Sequence, residues 1–155
     1  MQGGLTGTGR KRARSSAALL LAALALLGSG CGDLSNDELN RGVESLSALA
    51  AQGQLVASGV ARDATKTTYA RVMAKTLSEQ SDHEAEKLAD ATLEEPETAD
   101  QRHAAVAVAA EISGLLSELQ TFPGDEHHAA LVQKHLEEAQ EKAGAIVAQL
   151  SGDAP

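Results

Sequence analysis

Histidine and carboxylate side chains recur at helical spacing in this chain, and such pairs are able to bind a metal ion. His83 and Glu86 lie three residues apart, and so do His135 and Glu138. Residues at this spacing share a helix face, so pairs on facing helices would supply ligands for a metal in a bundle. However, the di-iron bundle motif is Glu-x-x-His, and no glutamate here has a histidine three residues later. The spacing is therefore more typical of histidines on a solvated face, and we expect no metal and no cofactor.

Other catalytic arrangements lack the residues that they need. Asp125 and His128 repeat the three-residue spacing, but at a predicted helix start, where a cationic histidine is disfavoured by the helix dipole. No serine stands in a Gly-x-Ser-x-Gly setting. Neighbouring carboxylates such as Glu137 and Glu138 fit a solvated helix face. We therefore predict that the protein is not an enzyme.

A basic segment and a short apolar run precede the single cysteine. Four basic residues lie between positions 10 and 14, and no acidic residue occurs before Asp33. Residues 17–27 contain only Ala and Leu, and these 11 residues are too few for a membrane-spanning helix, which needs about 20. The pattern is typical of a cleaved secretory signal. A disordered basic tail followed by a buried apolar segment is the alternative.

Cys31 directly follows Leu26-Leu27-Gly28-Ser29-Gly30. This stretch resembles the lipobox of bacterial lipoproteins, in which a leucine and two small residues precede a cysteine that is acylated. Here Gly28 takes the position three before the cysteine, where leucine is commonest, and Leu27 lies one residue further away. An ordinary signal-peptide cleavage site that happens to precede a cysteine is the alternative interpretation.

The lipobox resemblance, which covers about residues 10–33, implies an address for the protein. Residues 1–30 would be the signal peptide, Cys31 the lipid-bearing N-terminus, and residues 31–34 a lipidated tether. Several acyl chains, at about 0.8 kcal/mol per buried methylene, anchor a protein durably. In a bacterium with two membranes, Gly32 in place of an aspartate favours the outer membrane, with the domain in the periplasm.

Removal of the signal peptide makes the chain strongly acidic. The full chain has a formal charge of −9, and residues 1–30 contain four of its 13 basic residues but none of its 22 acidic ones, which leaves −13. Such a charge repels nucleic-acid phosphates. Tyr69 and Phe122 are the only aromatic residues, so a base-stacking platform is lacking too. We expect no nucleic-acid partner.

Helical periodicity begins directly after the tether. Ser35 and Glu38 have the spacing of a capping box, which predicts the start of helix 1. We expect this helix to end near Ser58-Gly59, with Gly53 as a weak point inside it. Its apolar positions repeat at spacings of three and four and include Leu39, Val43, Leu46 and Ala50.

Helix 2 is predicted to start near Arg62 or Asp63 and to end before Pro96, because a proline disfavours helix in the residue before it. A polar stretch interrupts its middle. Ser81 and Glu84 again have capping-box spacing, which predicts a break or kink near Ser81 as an alternative to a continuous helix. The apolar positions assigned to this helix include Tyr69, Val72, Met73, Leu77, Leu88 and Ala91.

The clearest apolar stripes belong to the last two helices. Helix 3 is expected to start at a cap near Thr98 and to end at Pro123-Gly124. Helix 4 is expected to begin near Asp125 and to contain about 25 residues. Their stripes comprise Ala105, Val108, Ile112, Leu115, Leu119 and Phe122 in helix 3, and Ala129, Val132, Leu136, Ala139, Ala143, Ile146 and Leu150 in helix 4.

Four helices with short connections and narrow apolar seams predict an all-α fold, an up-down-up-down four-helix bundle over residues 35–151 with a loose tail at 152–155. No stretch alternates with the period of a β-strand. A long coiled-coil hairpin or an oligomer built on the same seams is the structural alternative, since such seams also fit partner helices.

A second resemblance rests on three short segments: Gln54-Leu55, Tyr69-Ala70-Arg71-Val72-Met73 and Val132-Gln133-Lys134-His135. They are similar to segments of an exported ferritin-like helical-bundle family of unknown function. The resemblance implies a helical bundle with a histidine on a late helix, which here is His135. That family tends to place a histidine four residues after the methionine, where this chain has Leu77.

Three functional hypotheses follow from the sequence. The first is a membrane-anchored envelope lipoprotein, held by lipid on Cys31, whose acidic bundle is a non-enzymatic interaction or structural protein that contacts other envelope proteins. The second is a metal-binding or ferritin-like bundle that uses His83, Glu86, His135 or Glu138. The third is a chaperone-like or adaptor protein with an acidic face for basic partners, whose binding would depend on salt.

Overall fold

The computed structural model describes residues 34–94 and 96–152, and this part of the chain is almost entirely helical. No strand occurs in it, so the predicted all-α fold is confirmed. The residues assigned to the signal peptide, the tether cysteine Cys31 and the last three residues lie outside the described ranges. The helices are α1 (Asn36–Ala61), α2 (Thr67–Asp90), α3 (Ala99–Thr121) and α4 (Glu126–Leu150), with a short 3₁₀ helix at Pro96–Thr98 before α3.

Consecutive helices run antiparallel, which makes the bundle up-down-up-down as predicted. The most extensive packing joins α1 to α4 and α2 to α3, whereas α1 and α3 touch less and lie on a diagonal. Early residues of one helix meet late residues of its neighbour, as shown by Gly42 against Leu88, Ser78 against Ser113, Glu118 against His128, and Gly53 against Leu136.

Two of the predicted helix starts are confirmed in atomic detail. The Ser35 hydroxyl accepts a hydrogen bond from the Glu38 backbone N–H (3.3 Å), and Glu38 accepts one from the Ser35 N–H (3.2 Å). Asp125 caps α4 by accepting from the His128 N–H at 2.9 Å. Such caps satisfy backbone donors that a helix start leaves unpaired.

The start and the centre of α2 differ from the sequence-based expectation. The helix begins at Thr67 rather than near Arg62, because the chain turns at Asp63, whose φ of 51° lies in the left-handed region. It also continues unbroken through Ser81. The Ser81 hydroxyl donates to the Ala109 carbonyl of α3 at 2.8 Å, so it bonds across the interface instead of capping a new helix.

Small residues form the face of α2 that contacts α3. Ala70, Ala74 and Ser78 are buried there, and Ser78 bonds to the Ser113 hydroxyl at 3.0 Å. Small side chains allow the two helices to approach closely, and the serine hydroxyls find partners on α3. The predicted core positions Tyr69 and Val72 were therefore wrong: both point outward and are more than half exposed.

The last part of the α3 stripe also needs correction. Phe122, assigned to the seam, is half exposed and follows the end of α3, and Leu116 rather than Leu115 is fully buried. By contrast, all the assigned positions of α4 from Ala129 to Ile146 are buried as expected, and Leu150 is partly buried.

The segment before α1 is attached to the connection between α2 and α3. Leu34 is buried and forms an isolated parallel β-bridge with Leu93. Its N–H donates to the Thr92 carbonyl, and its own carbonyl accepts from the Glu94 N–H at 3.2 Å. The start of the bundle is thus fixed at the end where α1 begins and α2 finishes.

Gly53 is a packing site rather than a weak point of α1. It is buried, and a Cβ atom placed on it would lie 2.9 Å from Leu116 of α3 and 2.9 Å from Leu136 of α4. The missing side chain is what allows two leucines from different helices to meet against the α1 backbone.

Gly59 and Gly144 give a matched pair of glycine substitutions with opposite expected effects. A Cβ on buried Gly59 would collide with the Thr65 hydroxyl and lie 3.1 Å from the Thr65 Cβ. Thr65 has little room to move, because the Ala64 N–H donates to the Gly59 carbonyl at 2.8 Å. We expect Gly59→Ala to lower the free energy of unfolding by about 1–2 kcal/mol, since overpacking outweighs the better helix propensity of alanine.

The control is Gly144→Ala on α4, where nothing lies within 4 Å of the new methyl group. It is expected to raise the free energy of unfolding by up to about 1 kcal/mol through helix propensity alone. Urea titration of both variants measures the difference. Equal stabilisation by the two substitutions would contradict the close approach of Thr65 to α1.

Candidate functional site

The residue with the most specific predicted chemistry, Cys31, precedes the described ranges. Acylation at this position therefore stays a prediction from the sequence. Across residues 34–94 and 96–152, no helix combines the length and the apolar character that crossing a bilayer requires.

The histidine–carboxylate pairs are solvated, and they lie on different helices. On α4, His135 is hydrogen-bonded to Glu138 at 3.2 Å, and both side chains are about half exposed. This hydrogen bond, aided by the charges of His135 and Lys134, lowers the pKa of Glu138 below its ordinary value. The carboxylate is therefore ionised at neutral pH, and its partners are His135 and Lys134 on the same helix.

The second pair, on α2, does not join the first. His83 is exposed in a groove between α1 and α2 that Glu79 and Gln52 also line, and no hydrogen bond in the described region connects it to Glu86. α2 and α4 share no extensive packing in the part of the chain that the structure covers. Among these described residues no three His, Cys, Asp or Glu side chains are grouped as metal ligands would be.

The remaining histidines lie near the helix ends. His128 packs edge-on against Phe122, with ring centroids 5.1 Å apart, and its Nε2 is 3.4 Å from a carboxylate oxygen of Glu118. This contact joins the end of α3 to the start of α4. On the exposed side of α3, the guanidinium Nη2 of Arg102 lies 3.2 Å from Nε2 of His103.

The end of the bundle opposite Leu34 differs from the rest of the surface in its exposed apolar side chains and in its charge. We call this end the tip and define it as residues 62–75 and 118–126, the two interhelical connections with the adjoining helix ends. A shallow, open depression in it is lined by Thr67 and Arg71 from the first turns of α2, by Phe122, Pro123 and Gly124 from the connection between α3 and α4, and by the start of α4. The two connections meet there, since Gly124 lies against Thr67.

Exposed apolar side chains are concentrated in this half of the molecule. In the described part of the chain, five large apolar residues are exposed: Leu55 (74%), Tyr69 (56%), Val72 (57%), Phe122 (50%) and Leu131 (45%). Three belong to the tip, and Leu55 and Leu131 lie on α1 and α4 in the same half of the bundle. Both aromatic residues of the chain are among them. Phe122 lines the depression together with Arg71, and aromatic residues and arginine are enriched at protein interfaces.

Sequence reasoning missed the tip, because its apolar residues had been assigned to helix seams. One available signal was the local charge. Residues 62–75 contain four basic residues and one acidic residue in a chain with a formal charge of −9.

Compared with protein families, with curated proteins and with solved structures, the chain matches none of them.

Proposed function

We propose that the protein is an exported lipoprotein, anchored by acyl chains on Cys31, whose acidic helical bundle acts without catalysis by contacting other proteins of the bacterial envelope. The observation that carries this proposal is the placement of the only cysteine of the chain, directly after an apolar run of 11 residues and three small residues. A lone thiol in an exported protein has no disulfide partner in its own chain, and acylation gives it a use.

The geometry of the bundle is compatible with a short tether. Leu34 is held against Leu93 at one end of the bundle, and it is three residues from Cys31 in the sequence. An extended chain covers at most about 3.6 Å per residue. Acyl chains on Cys31 would therefore hold Leu34 within about 11 Å of the lipidated residue.

A role through contacts is supported by the surface of the tip. Tyr69, Val72 and Phe122 remain exposed although burying each would be favourable by about 1.5–3 kcal/mol. Apolar side chains grouped on one end of an otherwise strongly charged protein are typical of an interaction surface.

The test is the mass of the N-terminal peptide of the protein isolated from its native membrane. We expect the peptide to begin at Cys31 and to carry acyl groups that add to its mass. A mature N-terminus at another residue, or an unmodified Cys31 thiol, would contradict the anchor. Turnover of a small substrate by the purified protein would contradict the non-enzymatic role.

A further inference from the structure

We propose that two copies of this chain associate through their tips, related by a two-fold axis that sets the basic part of each tip against the acidic part of the other. The inference goes beyond the proposed function and does not depend on the lipid anchor, because it rests on the charges and exposed side chains of the bundle.

The tip carries no net charge, unlike the remainder of the protein. Its first segment, residues 62–75, has four basic residues and one acidic residue, and its second, residues 118–126, has three acidic residues and no basic one. The whole formal charge of −13 of residues 31–155 therefore lies outside the tip. Two copies repel each other wherever the acidic surfaces face, and this repulsion is absent at the tip.

The charges of the tip are complementary to themselves. A two-fold axis brings a surface onto an identical one, so a patch with a basic and an acidic half fits its own copy. Arg71 lies on α2 and Glu126 is the first residue of α4, and both line the same depression. Neither forms an ion pair in the described part of the chain, and neither does Lys66, so these charges are available to a second copy.

Phe122 supplies an apolar component at the depression, since it is half exposed and lines the depression together with Arg71 and Glu126. Tyr69 and Val72 are exposed elsewhere on the same end of α2. An interface of this type combines aromatic anchors with a charged rim, where the anchors supply affinity and the charges supply orientation.

Lys66 provides an independent indication that folding alone does not explain the charges of the tip. It occupies the N-cap of α2, and its side chain makes no capping hydrogen bond. Asp, Asn, Ser and Thr are the stabilising residues at this position, and a cation at a helix N-terminus opposes the dipole. A residue that is unfavourable for its own helix is explained if it contacts a carboxylate of the second copy.

The experiment is sedimentation of the purified full chain in a density-matched detergent solution, over a range of concentrations. We expect the wild type to form dimers. Arg71→Glu alone and Glu126→Lys alone should each raise the dimer dissociation constant by about ten-fold or more, because each places like charges opposite one another. Both substitutions in one chain exchange the charges and should restore the dissociation constant to within a few-fold of the wild type.

Two further variants separate association from folding. Lys66→Asp should raise the melting temperature of the protein, since it introduces a favourable cap, and at the same time weaken the dimer. Lys87→Glu makes the same charge change as Arg71→Glu on the same helix but far from the tip, at an exposed position, and should leave the dimer unchanged.

A wild-type chain that stays monomeric at all concentrations would overturn the proposal. So would a dimer that is indifferent to Arg71→Glu, a charge exchange that fails to restore it, or an equal loss with Lys87→Glu. If the tip instead binds a membrane surface or an unrelated protein, the purified chain would stay monomeric or form a dimer that does not respond to Arg71→Glu.

Discussion

Replacing Cys31 with serine is expected to release the protein from its membrane or to leave it as an unprocessed precursor, with no acylated form. A serine hydroxyl is a much weaker nucleophile than a thiolate and does not accept the diacylglycerol. The acyl chains, with about 0.8 kcal/mol for each buried methylene, would otherwise supply the affinity for the bilayer. No helix in the described residues 34–94 and 96–152 is fit to replace them by spanning the membrane.

The measurement is the distribution of the protein between detergent and aqueous phases, together with incorporation of a labelled fatty acid. Ser29→Ala is the matched control, since it changes one side chain two residues before the cysteine but keeps a small residue there and the thiol of Cys31. It should behave like the wild type. If Cys31→Ser partitions into detergent as the wild type does and is still processed, Cys31 is not the anchor.

Leu136→Ala is expected to be strongly destabilising, with a loss of about 3 kcal/mol in the free energy of unfolding and a fall in melting temperature of roughly 10 °C. Leu136 is fully buried on α4 and lies against Gly53 of α1. The gap left by its side chain would open where three helices meet, so little relaxation is available to fill it.

Leu131→Ala on the same helix is the control, because Leu131 is 45% exposed and its truncation should change stability by no more than about 0.5 kcal/mol. Thermal and urea unfolding of both variants measure the difference. Similar losses for the two leucines would show that the face of α4 assigned to the core is incorrect.

The same site allows a test of coupling. Gly53→Ala alone crowds both Leu116 and Leu136, whereas in the Leu136→Ala background one of the two obstacles is gone. We therefore expect Gly53→Ala to be more favourable in the variant than in the wild type. If the two substitutions changed the free energy of unfolding additively, Gly53 and Leu136 would not be in contact.

The number and type of the helices could be predicted because their signals are local. Ser35 with Glu38, and Asp125 before α4, form the caps that their types predict. The orientation of α2 could not be predicted in this way. A periodic pattern predicts the buried face of a helix only if the large apolar residues lie on it. On α2 the small residues Ala70, Ala74 and Ser78 are buried instead, whereas Tyr69 and Val72 are exposed.

Ser81 shows the same limit for a polar residue. Its spacing to Glu84 is that of a capping box, and only the position of α3 decides that its hydroxyl bonds to Ala109 instead. The two candidate sites differ in how far they can be recognised from the sequence, for a related reason. Cys31 is recognisable from its immediate neighbours, whereas the tip joins residues 62–75 to residues 118–126 and exists only in the folded bundle.

The extensive packing of α1 on α4 has a consequence for how the chain folds. These helices are the first and the last of the bundle, so one of its two largest interfaces is also the most distant in sequence. Such pairing raises the contact order of an otherwise local helical fold and slows its formation. While the chain is being synthesised, α1 lacks its most extensive packing partner until α4 is complete. The α2–α3 hairpin is therefore expected to form first, and the bundle closes around it when α4 is complete.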